Sequence, residues 1–207
     1  EEFMEFYEKV DEYVGKLREL LAEQGVLDET VIVVSADHGE QLGEFNVYGD
    51  HQCADYSTCR VPLIISGPDV EPGLDESLHY QLDLAPTIVD LAGFETPVGW
   101  DGESFVSSVT DGDRDGRDSL VLTQNAWSCQ RGVRWDDWIL LRTYHDGGKP
   151  MLDDVMLFDV ESDPHQTTDL SAARPEVVNE GLAILQRWID ERLVEAARGE
   201  NGGNPDT

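Results

Sequence analysis

The chain has 207 residues, 40% of them hydrophobic, and sets 44 acidic residues against 14 basic ones for a formal net charge of −30. That length suits one large domain or one and a half, no apolar run approaches the ~18 residues of a membrane span, and three cysteines make no disulfide framework. So acidic a surface repels phosphate backbones and anionic lipid, which disfavours nucleic acid and membrane surfaces as partners.

Only Lys9, Lys16 and Lys149 are lysines. Acid-rich, lysine-poor surfaces suit high salt, where screening suppresses self-repulsion, so a salt-loving source is expected. The same excess means that a carboxylate cluster in this chain is often only surface. The chain opens at Glu1 directly in an amphipathic pattern, which reads as an incomplete amino terminus. No leader can be read from such a start, and the compartment stays open, with the cytoplasm as the default expectation.

Phe3, Phe6, Tyr7, Val10, Val14, Leu17, Leu20 and Leu21 recur at helical spacing and predict a helix ending near Gly25. Residues 30–35 (TVIVVS) are β-branched and apolar, as in a strand covered on both faces of a parallel sheet. Residues 61–66 (VPLIIS) predict a second such strand, and 83–92 (DLAPTIVDLA) a short helix stopped by Gly93. This order is that of an α/β sandwich. Residues 110–118 (TDGDRDGRD) hold no apolar side chain and mark the best boundary, an acidic linker between a core over 1–109 and a subdomain over 119–198. Beyond it, strand-like runs at 119–123, 132–135, 138–142 and 155–159 predict a small antiparallel sheet. Turn chemistry at Asp136-Asp137 and at 145–148 separates some of them. Pro175 opens a terminal helix with Val178, Leu182, Leu185 and Ile189 on one face, and residues 199–207 read as a frayed tail.

The strongest candidate site follows the first strand, in VIVVSADHGEQLGE. Ligands of α/β sheets bind at the carboxyl ends of strands. Asp37 and His38 stand there, and Gly39 permits the sharp turn that lets both reach one divalent cation. For a bare Asp-His-Gly, a capping aspartate and a loop histidine are the commoner arrangement.

The surrounding text resembles the sulfatases of the alkaline phosphatase superfamily. The likeness runs through DETVIVVSADHGEQLGEFNVYGDH, RVPLIISGP, LDLAPTIVDLAGFETPVGWDGES, QRGVRWDDWILL and LFDVESDPHQTTDL to the closing helix. It implies the carboxyl-terminal part of an alkaline-phosphatase-like α/β sandwich, followed by a small antiparallel sheet with a terminal helix. It further implies a hydrolase of small-molecule or carbohydrate sulfate esters that holds one divalent cation, usually calcium. Asp37 and His38 resemble the later of the family's two ligand pairs, although an imidazole donor is more natural for Mn2+ or Zn2+.

Two departures accompany the resemblance. The family's formylglycine signature, Cys/Ser-x-Pro-x-Arg, does not occur, and neither does the early acidic ligand pair. The chain is therefore expected to be a fragment, inactive alone, whose partner is the missing amino-terminal part of the same enzyme. Where many sulfatases carry a sulfate-contacting lysine, Asp50 stands before His51. A carboxylate cannot neutralise a sulfate oxygen but could reach a second cation, which leaves room for a phosphate or phosphonate ester as substrate. A truncated, non-catalytic module is a third reading. His51 is the candidate for the leaving-group or substrate contact.

Other motifs are weaker. Asp111, Asp113, Asp115 and Gly116 open a calcium-loop pattern, but Leu122 takes the place of its closing glutamate and helical flanks are not evident. Arg131 and Arg134 could clamp an anion, though surface ion pairs are the commoner use of such strand positions. His165 is expected to be structural, in a turn begun by Asp163-Pro164. His79 and His145 have no evident partner. Cys53, Cys59 and Cys129 read as reduced thiols, with a Cys53–Cys59 link as the alternative.

Overall fold

A computed structural model describes residues 2–198. The side chain of Phe3 and the tail over 199–207 lie outside the described residues. Helix α1 runs Glu2–Glu23. It gives way at Gly25, whose φ of 71° is the left-handed conformation that glycine adopts without a Cβ penalty. Much of its apolar stripe faces solvent among the described residues, Phe6 at 64% and Leu20 at 57% exposure.

Strand β1 (Ile32–Ser35) leads into the candidate site. There follow β2 (Gln41–Leu42), β3 (Tyr48–Asp50), the single-turn helix α2 (Tyr56–Cys59) and β4 (Leu63–Ser66). The expected parallel pairing of the two apolar strands is not found. β1 and β4 are antiparallel, with Ile32 opposite Ser66 and Ser35 opposite Leu63. Residues 36–62 fold back on themselves, so the chain re-enters β4 in the opposite sense, and an all-apolar composition does not encode direction. Nor are both faces covered by described residues, because Leu63 and Ile64 are 41% and 60% exposed.

Helix α3 (Leu84–Leu91) is followed by Gly93 at φ 77°, as its sequence predicts. A further short helix, α4 (Val106–Thr110), lies where the sequence suggests none. The acidic run after it is fastened rather than loose. Arg117 forks onto the buried Asp83 carboxylate, Nη2 to Oδ1 at 2.8 Å and Nε to Oδ2 at 3.2 Å. The backbone N–H groups of Tyr80 and Glu103 donate to the same carboxylate. Burial would push Asp83 upward, but these bonds outweigh it and hold its carboxyl below the usual range. Asp111, Asp113 and Asp115 remain exposed, and Leu122 belongs to the next strand.

That strand is β5 (Ser119–Gln124), and with β6 (Cys129–Trp135), β7 (Trp138–His145) and β8 (Val155–Asp159) it forms a four-stranded antiparallel meander. The turn residue Asp136, at φ 40°, joins β6 to β7. Alternate side chains serve two cores. Val121, Val133, Trp135, Leu140 and Leu157 pack on α5 (Pro175–Arg198) through Val178, Leu182, Leu185 and Ile189. Ile139, Leu141, Met156 and Phe158 pack on the opposite side against Phe45 and Tyr56. The sheet is thus a plate between the terminal helix and the segment that carries the candidate site.

Candidate functional site

β1 ends at Ser35, and the next residues are held from outside. Gln81 Nε2 donates to the Ala36 carbonyl at 2.6 Å, and Ser35 Oγ to the Pro62 carbonyl at 2.9 Å. The Gly39 N–H donates to the Thr58 carbonyl at 2.7 Å. The requirement for glycine here is one of space. Gly39 is not among the residues with positive φ, but a Cβ there would collide with the Ser57 carbonyl oxygen.

The short hairpin β2–β3 pairs Gln41 with Asp50 and so returns His51 to the neighbourhood of residue 38. Phe45 and Asn46, at φ 51° and 56°, make its tight end. The His38 and His51 rings stack with centroids 3.7 Å apart and 22° between planes. Glu40 stands at their edge, its Oε2 3.6 Å from His51 Nδ1 and 4.0 Å from His38 Nδ1. His38, Glu40 and His51 each offer a ligand atom, all within 4.8 Å of one another. His38 Nδ1 lies 2.8 Å from the Gly39 carbonyl, which only accepts, so in the neutral ring that nitrogen carries the proton and Nε2 offers its lone pair. Asp37 is outside the three-residue group and largely exposed, with Oδ2 3.9 Å from His38 Nε2. Asp50 turns back on its own loop, where Oδ1 accepts the His51 N–H at 2.8 Å.

Glu40 is the residue that sequence reasoning missed. Its signal was an acid two places after His38 in Asp-His-Gly-Glu, hidden in a chain with 44 acidic residues. The second omission is the support behind the loop. Ser128 Oγ and Lys149 Nζ bind the Gln52 carbonyl and Oε1, each at 2.6 Å. Gln130 Oε1 accepts the buried Ala54 N–H at 3.0 Å, while its Nε2 donates to Thr143 Oγ1. Gln124 Nε2 donates to the His51 carbonyl at 3.2 Å, and Gln166 Oε1 accepts the Tyr56 N–H at 2.8 Å. Five side chains of the carboxyl-terminal half therefore hold residues 51–56, with Thr143 bracing Gln130.

Beneath the site lies Asp55, fully buried, capping α2 by accepting the N–H groups of Ser57 and Thr58 while Oδ1 has no partner. Burial pushes its carboxyl up to about 6, against the pull of those hydrogen bonds. Cys53 and Cys59 are free thiols that burial pushes up to about 11 and about 12, and Cys129 is free as well. The remaining histidines all have partners: His79 with Asp75 at 3.1 Å, His165 with Glu44 at 2.8 Å, and His145 accepting the Gly147 N–H. The expected surface ion pairs of Arg131 and Arg134 do not form among the described residues. Arg131 bonds Asn125 Oδ1 and the Gln130 carbonyl, and Arg134 bonds the Asp136 carbonyl, because turn oxygens lie nearer than any carboxylate.

The chain is similar to known proteins in sequence and in fold. Residues 1–94 match the family model described as Sulfatase. A choline-sulfatase of Rhizobium meliloti (strain 1021) is 34% identical over 169 residues, which is 78% of this chain and 31% of that one. The multifunctional alkaline phosphatase superfamily protein PehA of Trinickia caryophylli is 29% identical over 92% of this chain and 39% of its own length. The solved structure of BT4656, with its substrate D-glucosamine-2-N,6-O-disulfate, superposes with a TM-score of 0.76 at 24% identity over 96% of this chain and 40% of that one. The chain thus spans about a third of the length of the curated relatives it matches.

Proposed function

From a chain that belongs to the sulfatase family of the alkaline phosphatase superfamily, we infer a part of a sulfuric ester hydrolase in which Asp37 and His38 hold a divalent cation and His51 meets the leaving group. The observation that carries this reading is His38 itself. Its Nδ1 is tied to the Gly39 carbonyl, and the free Nε2 lies 3.9 Å from Asp37 Oδ2 at the end of β1. A ring nitrogen fixed through its other nitrogen is the usual preparation of a histidine ligand.

The donors present fit a cation. The imidazole of His38 with the carboxylates of Asp37 and Glu40 forms a nitrogen–oxygen set that suits Mn2+ or Zn2+ better than Ca2+, which prefers oxygen throughout. When bound, the cation would offset charge on the ester oxygens. His51, stacked on His38 and edged by Glu40, would give a proton to a departing alkoxide, with Glu40 opposite the charge that the ring carries before the transfer. The nucleophile and the early acidic pair would come from the remaining part of the enzyme, and the exposed apolar side of α1 and β4 is the natural seat for it. That part is the partner we propose, and the substrate class is a small-molecule or carbohydrate sulfate ester.

In the complete enzyme, Asp37→Ala is expected to reduce hydrolysis of 4-nitrophenyl sulfate by more than the ~10–100-fold that outer-shell partners cost. The melting temperature should move by no more than about 2 °C, since the side chain is exposed and supports no core contact. Turnover retained in that variant would remove Asp37 from the site. A second reading, phosphate or phosphonate ester hydrolysis, is favoured by Asp50 at the lysine position and by the likeness to PehA. Relative kcat/KM on 4-nitrophenyl sulfate, 4-nitrophenyl phosphate and a phenylphosphonate ester decides between the two.

A further inference from the structure

On the face of the sheet turned away from His51, the ends of β6 and β7 and the last turns of α5 enclose a groove of about 550 Å3. Gln130 and Gly132 face Ala54 on the site side, so by strand alternation Arg131 faces α5. Arg131 and Arg192 both line the groove, with Tyr144, Trp188, Ile189 and Leu193. The placement of the cations is unusual in a chain with 14 basic residues against 44 acidic ones. Arg131 spends Nη1 on the Asn125 side-chain oxygen and the Gln130 carbonyl, and among the described residues it enters no ion pair. Arg192 bonds Glu195 through Nη2 at 2.6 Å, but its Nε is buried without a hydrogen-bond partner. An Nε donor left open in this way is unfavourable, and an arriving acceptor would satisfy it. Arg142 lies 5.3 Å from the centroid of the Tyr144 ring and donates to the Asp154 carbonyl.

Two guanidinium groups supply fork geometry for a planar or tetrahedral oxyanion, and the two aromatic residues supply a flat surface for an apolar or sugar ring. We propose that this groove binds a ring-bearing organic anion, a sulfate or carboxylate on an aryl or glycosyl body, through Arg131 and Arg192, with the ring against Trp188 and Tyr144. The site is separate from the His38–His51 cluster and does not depend on the hydrolase reading.

Isothermal titration calorimetry of the chain with naphthalene-2-sulfonate, a non-hydrolysable probe, tests it, with 2-naphthol as the uncharged control. The expected result is saturable binding, at least tenfold weaker in Arg131→Gln/Arg192→Gln and unchanged in His38→Ala. Near-UV circular dichroism checks that each variant is folded. Should the double variant not fold, Arg131→Gln alone carries the test, because that guanidinium touches only a surface loop and a neighbouring carbonyl. Equal binding of 2-naphthol, loss of binding in His38→Ala, affinity unaffected by the arginine changes, or no binding up to 10 mM probe would each overturn the proposal.

Discussion

Asp55 keeps a carboxyl group where water does not reach, and its folded and ordinary values differ by about two pH units, about 6 against 3.8. Such a difference is worth ~3 kcal/mol in total. Because the folded value is the higher one, stability from this group is fully present below pH ~4 and is lost as the pH rises through 6. Asp55→Asn keeps an oxygen for the α2 cap and removes the titration. Urea unfolding at pH 5.0, 6.0 and 7.5 should show the parent chain losing ~1 kcal/mol or more relative to the variant across that range, and equal slopes would defeat the assignment. Residue identity at the site was only partly legible. Asp37-His38 stands out in sequence by its place after an apolar strand, and His51 by family likeness. Glu40 joins them only because the β2–β3 hairpin closes, and a two-residue strand followed by left-handed Phe45 leaves no periodic signal.

The four strands β5–β8 behave as one backing element for the loop over 51–56. Gln130 is the member with most at stake, since Ala54 N–H is buried and has that side chain as its acceptor. Gln130→Leu should cost ~1–3 kcal/mol and raise the hydrogen-exchange rate of the Ala54 amide above that of other sheet-side amides. Unchanged protection at Ala54 would show that the loop holds itself. The strands were readable from apolar runs and turn chemistry, and Val155–Asp159 falls where the sequence puts it. Their polar teeth were not. Gln124, Ser128 and Gln130 look in sequence like the solvent side of an alternating strand, and only the fold shows that this side is covered. The direction of β4 was unreadable for a different reason, since composition reports burial and a long excursion sets orientation.

Across the whole molecule the net charge of −30 opposes compaction. Screening has only to shorten the range of that repulsion, with a Debye length of ~10 Å at 0.1 M salt and ~3 Å at 1 M. The melting temperature is therefore expected to rise by at least ~5 °C between 0.2 and 2 M KCl, and a flat profile would dissociate the acid excess from adaptation to salt. Composition bears on the solvent through that expectation alone. It did not reveal that the acidic stretch after Thr110 is anchored, because one arginine among aspartates looks like chance until Asp83 is seen buried opposite it.

The two-sided use of β6 makes that strand an address line. Gln130 and Gly132 face Ala54 in the loop that follows His51, whereas Arg131, Val133 and Trp135 face the terminal helix and its groove. Substitutions one residue apart should therefore sort into two independent phenotypes, and selection could reshape one side of the plate while leaving the other untouched.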